Sequence, residues 1–84
     1  MTPEEIAALT GLKWFRELAR VRQDVIVMMA MNMDRLNRPI LEALEHRDWI
    51  GAAFELCNSW QWTHQVGRER CQKLGDALEY GRWG

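Results

Sequence analysis

The longest uninterrupted apolar run in the chain, Val25 to Met31, is seven residues long. A helix needs roughly 20 such residues to cross a bilayer, so this run has to be covered by the rest of its own chain. Periodicity does not separate a buried strand from a buried helix here. Methionine and alanine favour helix, and no second β-rich run exists for a strand to pair with. The run predicts a helix from about 20 to 33, apolar on nearly all sides, with the other elements wrapped around it. A chain of 84 residues buries only roughly 60–65% of its extended surface. That allows one small domain over 1–84 and excludes a two-domain enzyme.

Local signals divide the remainder into short helices. Thr2-Pro3-Glu4-Glu5 places a hydroxyl at an N-cap, proline at the first helical position and a carboxylate three residues after the cap. A short capped helix over 1–11 is expected to end at Thr10-Gly11. Leu12 to Leu18 groups Trp14, Phe15 and Leu18 on one face. Asn37 and Pro39 start a helix with Ile40, Leu41 and Leu44 as its apolar positions, ending near His46-Arg47. Asp48 caps the next, whose expected buried stripe is Trp49, Ile50, Ala52, Ala53, Phe54, Leu56 and Cys57, with Gly51 permitting close packing. Asn58-Ser59 ends it, Trp60-Gln61-Trp62 forms a loop, and a last helix from about 65 to 80 carries Cys71, Leu74, Ala77 and Leu78. Gly81 terminates that helix and Trp83 folds back. The expected fold is all-α, a single compact domain of five or six helices.

Charge narrows the functional classes. Twelve acids stand against 11 bases, whereas a nucleic-acid-binding domain normally shows a strong basic excess, so a nucleic acid partner is disfavoured. Two cysteines, Cys57 and Cys71, are fewer than small disulfide scaffolds use, and both are read as reduced, buried thiols. The acidic start, with no apolar segment of signal length after it, points to a soluble protein of the cytoplasm with no signal peptide and no membrane segment.

Chemical motifs are sparse. Cys57, Cys71, His46 and His64 are scattered singly rather than in the close pairs that zinc requires, so no metal site and no cofactor is expected. Glycoside chemistry needs two carboxylates facing each other across a cleft at about 5–9.5 Å. Glu42 with Glu45, and Asp76 with Glu79, fall on solvated faces, and none sits beside an apolar run of the kind that would raise a pKa for acid catalysis. Five tryptophans are conspicuous. Helix faces and termini account for Trp14, Trp49 and Trp83, while Trp60 and Trp62 flank Gln61, where a ring either stacks on a sugar or partner protein or clamps the segment onto the core.

Four ordered blocks carry a family resemblance. Residues 19–33, followed by Ile40-Leu41-Glu42-Ala43-Leu44, resemble the C-terminal lobe of the tailed-phage lysozymes. His46-Arg47-Asp48-Trp49-Ile50-Gly51-Ala52-Ala53 is similar to that family's basic-x-Trp-x-x-Ala-Ala helix start. Trp62-Thr63-His64-Gln65-Val66-Gly67-Arg68 resembles its Trp-x-x-Gln-Val-Gly segment with following arginines, and Leu78 to Trp83 resembles its closing helix. The resemblance covers about residues 12–83. The family's catalytic glutamate lobe would lie N-terminal to it, and Met1 to Gly11 does not match that lobe. Where the family usually has Phe-Asn-x-Gly, this chain reads Met31-Asn32-Met33-Asp34. Asn32 keeps the position that in the family faces the substrate cleft.

The resemblance implies a lysozyme lobe without its acid catalyst. The expected function is therefore a non-catalytic phage or prophage interaction protein that binds a host or phage protein inside the bacterial cell. The alternative is the C-terminal part of a peptidoglycan-degrading muramidase, contributing glycan binding to a separate catalytic lobe. A Met1 followed by a well-formed cap favours the first, and the Trp-x-x-Gln-Val-Gly segment with Asn32 favours the second. The expected binding residues are Trp60, Trp62, His64, Gln65, Arg68 and Asn32, with Trp60 as the exposed anchor and Trp62 as the core clamp.

Overall fold

The computed structural model describes residues 1–32 and 36–83, with backbone only at Trp60 and Gln61. Its helices are α1 (Pro3–Thr10), α2 (Lys13–Arg16), α3 (Arg20–Asn32), α4 (Arg38–Glu45), α5 (Trp49–Asn58), α6 (Trp60–Gln65) and α7 (Arg68–Tyr80). The chain is all-helical among the described residues. Among the described residues seven helices stand in place of the expected five or six, because the Trp60-Gln61-Trp62 segment is itself helical; residues 12–18 keep only one helical turn.

Capping side chains set most helix starts. The Thr2 hydroxyl accepts from the Glu5 N–H at 3.2 Å, while the Thr2 N–H donates to the Glu5 carboxylate at 3.0 Å, so both halves of the capping box close. Asn37 accepts from the Ile40 N–H and Asp48 from the Gly51 N–H, each at 3.0 Å. Ser59 both ends α5 and caps α6, where its hydroxyl accepts from the Trp62 N–H. That double role is why a loop reading of Trp60 to Trp62 fails: one residue serves two helices with no spacer. α7 begins at Arg68 rather than 65 because Gly67 adopts φ 95°, a conformation that breaks the helix and favours glycine.

At its far end, α7 stops at Gly81 with φ 70°. α4 stops in a Schellman turn: the Asp48 N–H donates to the Ala43 carbonyl at 2.8 Å and the Arg47 N–H to the Leu44 carbonyl at 3.1 Å. The left-handed position of that turn, φ 57°, is held by Arg47 rather than glycine. The Arg47 side chain reaches Glu17 at 3.0 Å.

One apolar core runs from Leu9 to Leu78, including Phe15, Val25, Ile26, Met29, Ala30, Leu36, Ile40, Leu44, Ala52, Leu56, Trp62, Cys71, Leu74 and Ala77. α7 is its hub, packing against α3, α5 and α6, while α4 lies on the other side of α5 and α1 rests on α3. The radius of gyration is 11.6 Å, against about 12 Å for a compact chain of this length.

This placement corrects the expectation of a central α3. Val25, Ile26, Met29 and Ala30 are buried, yet Met28 is 42% and Met31 68% exposed. Seven consecutive apolar residues wind through two turns and point in every direction, and a domain this small has too few neighbours to cover both sides.

α5 and α7 pack closely at Gly75, where an added Cβ would stand 2.9 Å from the Cys57 sulfur and 3.7 Å from the Ala53 Cβ. The close-packing role expected of Gly51 therefore belongs to Gly75. Space at Gly51 is taken by the capping Asp48 carboxylate. Cys71 is buried, but Cys57 is only half-buried, which corrects the reading of two buried thiols; both are free.

Candidate interaction surface

The residues singled out from sequence lie in different settings. Trp62 is fully buried, so it clamps α6 to the core and presents no ring to a ligand. Among the described residues its indole N–H finds no hydrogen-bond acceptor. The Trp60 side chain lies outside the described residues. His64 and Gln65 at the end of α6 and Arg68 at the start of α7 are exposed. Asn32, also exposed, folds its amide back to donate to the Met28 carbonyl at 2.7 Å, and the neighbouring Met33-Asp34 departure lies outside the described residues. None of the four grooves described below is lined by any of these residues.

Two of the grooves flank a pair of residues that sequence reasoning placed in the core. Ile50 is 70% and Phe54 64% exposed. They stand at i and i+4 and form a ridge along the outer face of α5. On one side, a groove of about 640 Å³ lies between α4 and α5, floored by Pro39, Ala43 and Gly51 and edged by Glu42, His46, Asp48 and Glu55. On the other, a groove of about 260 Å³ lies between α5 and α7, lined by Ala53, Cys57, Asn58, Gln72, Gly75, Asp76 and Glu79. Two further concavities extend the surface past the end of α7, through Tyr80 to Arg47 and Trp49, and through Tyr80 to Arg82 and Trp83. Tyr80 and Trp83 are exposed and border this face.

Why the ridge points outward follows from the sequence of α5. Apolar residues at 49, 50, 52, 53, 54, 56 and 57 leave no polar face to mark the solvent side, so the arc that is buried is chosen by where α4 and α7 lie. Ala52, Ala53 and Leu56 face them, and Ile50 and Phe54 do not.

Charge in the two flanking grooves is one-sided, while Arg47 lines the concavity at the Trp49 end of the ridge. Glu42, Asp48, Glu55, Asp76 and Glu79 line the two flanking grooves, and no lysine or arginine lines either. Glu42 is paired with Arg38 at 3.1 Å, and Asp76 accepts from the Gln72 amide at 2.9 Å. Asp76 and Glu79 line the same groove as the exposed Ile50 and Phe54. Burial in the α5–α7 contact pushes the Cys57 thiol above its ordinary value, and nearby Cys71, Asp76 and Glu79 push it the same way.

Among the described residues, no three or more histidine, cysteine or acidic side chains come together as a metal site, and no helix is long and apolar enough to cross a membrane. Compared with protein-family models, curated proteins and solved structures, the chain matches none of them.

Proposed function

We propose that the chain is a non-catalytic protein-binding module, a phage or prophage product built on a helical lobe like that of the tailed-phage lysozymes and acting on a host or phage protein in the bacterial cytoplasm. The observation that carries this reading is the ridge of Ile50 and Phe54 left in solvent between two grooves. Large apolar side chains standing together on a surface and rimmed by polar groups mark interaction sites, and aromatic anchors dominate binding energy at such sites. A photo-crosslinking amino acid at Phe54 is expected to trap a discrete protein partner in cells, whereas the same group at Arg68 traps none. Adducts at Arg68 with none at Phe54 would move the function to the other end of the molecule.

A second reading, the muramidase lobe, draws support from Trp62, which is buried as the lysozyme-like register of residues 62–67 implies. In that case the chain serves peptidoglycan cleavage only beside a separate catalytic lobe. Turbidity loss of permeabilised cells on adding the purified chain, abolished by replacing one carboxylate, would overturn the non-catalytic reading.

A further inference from the structure

We infer that the occupant of the Ile50–Phe54 surface is a cationic amphipathic helix of the partner protein. This rests on the binding-module reading and adds the chemistry of the partner.

Shape points to a helix. Ile50 and Phe54 form an i, i+4 ridge with a groove on each side, and a helix packs onto such a relief by setting its own rows of side chains into the grooves. A partner with apolar residues at i, i+3, i+4 and i+7 straddles the ridge in this way.

Charge points to a basic one. Glu42, Asp48, Glu55, Asp76 and Glu79 edge the two grooves with no lysine or arginine among the residues lining them; Arg38 is paired with Glu42, and Arg47 lines the concavity at the Trp49 end of the ridge. Glu55 and Glu79 enter none of the ion pairs formed among the described residues, so they meet an incoming cation without breaking an existing pair. The same acids repel a second copy presenting the same face, and they repel nucleic acid and anionic lipid.

The test uses the full chain and three synthetic helical peptides of about five turns, each with leucine at helical spacing and with lysine, glutamine or glutamate at the remaining positions. A scrambled lysine peptide serves as control. Fluorescence anisotropy should show the lysine helix binding at least about tenfold more tightly than the other three, with affinity falling as salt shortens the Debye length from about 14 Å to about 5 Å. Phe54→Ser and the double change Glu55→Lys with Glu79→Lys should each weaken it at least about tenfold, with helical circular dichroism unchanged because these side chains lie at the surface. Equal binding of the lysine, glutamine and glutamate helices, still lost in Phe54→Ser, keeps the docking face and overturns the cationic partner. No binding of any peptide overturns both. A dimer of the wild-type chain that Phe54→Ser dissociates would assign the face to self-association and likewise overturn the proposal.

Discussion

The guanidinium of Arg22 stands 4.4 Å from the centroid of the Trp49 ring while donating to the Leu78 carbonyl at 2.8 Å and the Glu79 carbonyl at 2.9 Å. A single side chain of α3 therefore closes the C-terminal end of α7 and lies against the first residue of α5. Positive charge at a helix C-terminus is favoured by the exposed carbonyls there, and the ring adds a cation–π contact. Removing the side chain leaves two half-buried carbonyls without their donor. Arg22→Ala should cost about 2–3 kcal/mol from these combined losses, and Arg22→Lys should recover less than half, since an ammonium lacks the planar fork. Urea denaturation checks both; a loss below about 0.5 kcal/mol, the ordinary range for surface substitutions, would show that Arg22 is only decorating the surface.

Trp62 should separate packing from hydrogen bonding. Its ring is fully buried, so Trp62→Ala should lose about 3–5 kcal/mol. Its N–H has no acceptor among the described residues, and an unsatisfied buried donor costs about 1–3 kcal/mol. Trp62→Phe, which removes that donor and keeps an aromatic ring, is therefore expected to cost well under half as much as alanine. Thermal denaturation of the two variants decides it: equal losses would mean that the indole N–H is satisfied in solution.

The α5–α7 contact predicts a compensating pair. Gly75→Ala drives a methyl toward the Cys57 sulfur at 2.9 Å and should cost about 1–3 kcal/mol by overpacking. Cys57→Ala removes the opposing sulfur. A double-mutant cycle should show a favourable coupling of about 0.5–2 kcal/mol; simple additivity would mean that the helices part without strain.

Both thiols titrate above their ordinary value of 9.0, Cys57 through burial and then through Cys71, Asp76 and Glu79, and Cys71 through burial alone. A folded-state pKa raised above the unfolded one contributes stability that is fully present below the unfolded pKa and is lost as pH rises through the folded value. The fold should accordingly weaken on the alkaline side of pH 9.0, and replacing both cysteines by alanine should flatten that slope. Reductant should leave the melting temperature of the native chain unchanged near neutral pH, because both cysteines are free. A drop of several degrees on adding reductant would reveal a disulfide.

Features set within a few residues were readable in the sequence. The capping signals at Thr2, Asn37 and Asp48 and the stop at Gly81 each depend on neighbours in the chain, and each appears in the fold as expected. Features set by distant neighbours were not. α6 has no periodicity to announce it, since its six residues are held by the Ser59 cap and by Trp62 in the core. Arg22 reads as an ordinary polar residue until α5 and α7 are brought beside it. The exposure of Ile50 and Phe54 was not legible either: both look like core in any window of sequence, and the standing of an apolar pair beside acids 22 or more residues further along the chain is a property of the packed helices alone.

The central claim, that the working surface is the Ile50–Phe54 ridge, is tested most directly by nuclear magnetic resonance of the isotopically labelled chain titrated with the lysine–leucine helix. Amide shifts should concentrate in the residues of α4, α5 and the C-terminal half of α7 that line the flanking grooves, with Asn32, His64, Gln65 and Arg68 unmoved. Shifts concentrated at those four residues, with Ile50 and Phe54 unmoved, would contradict it.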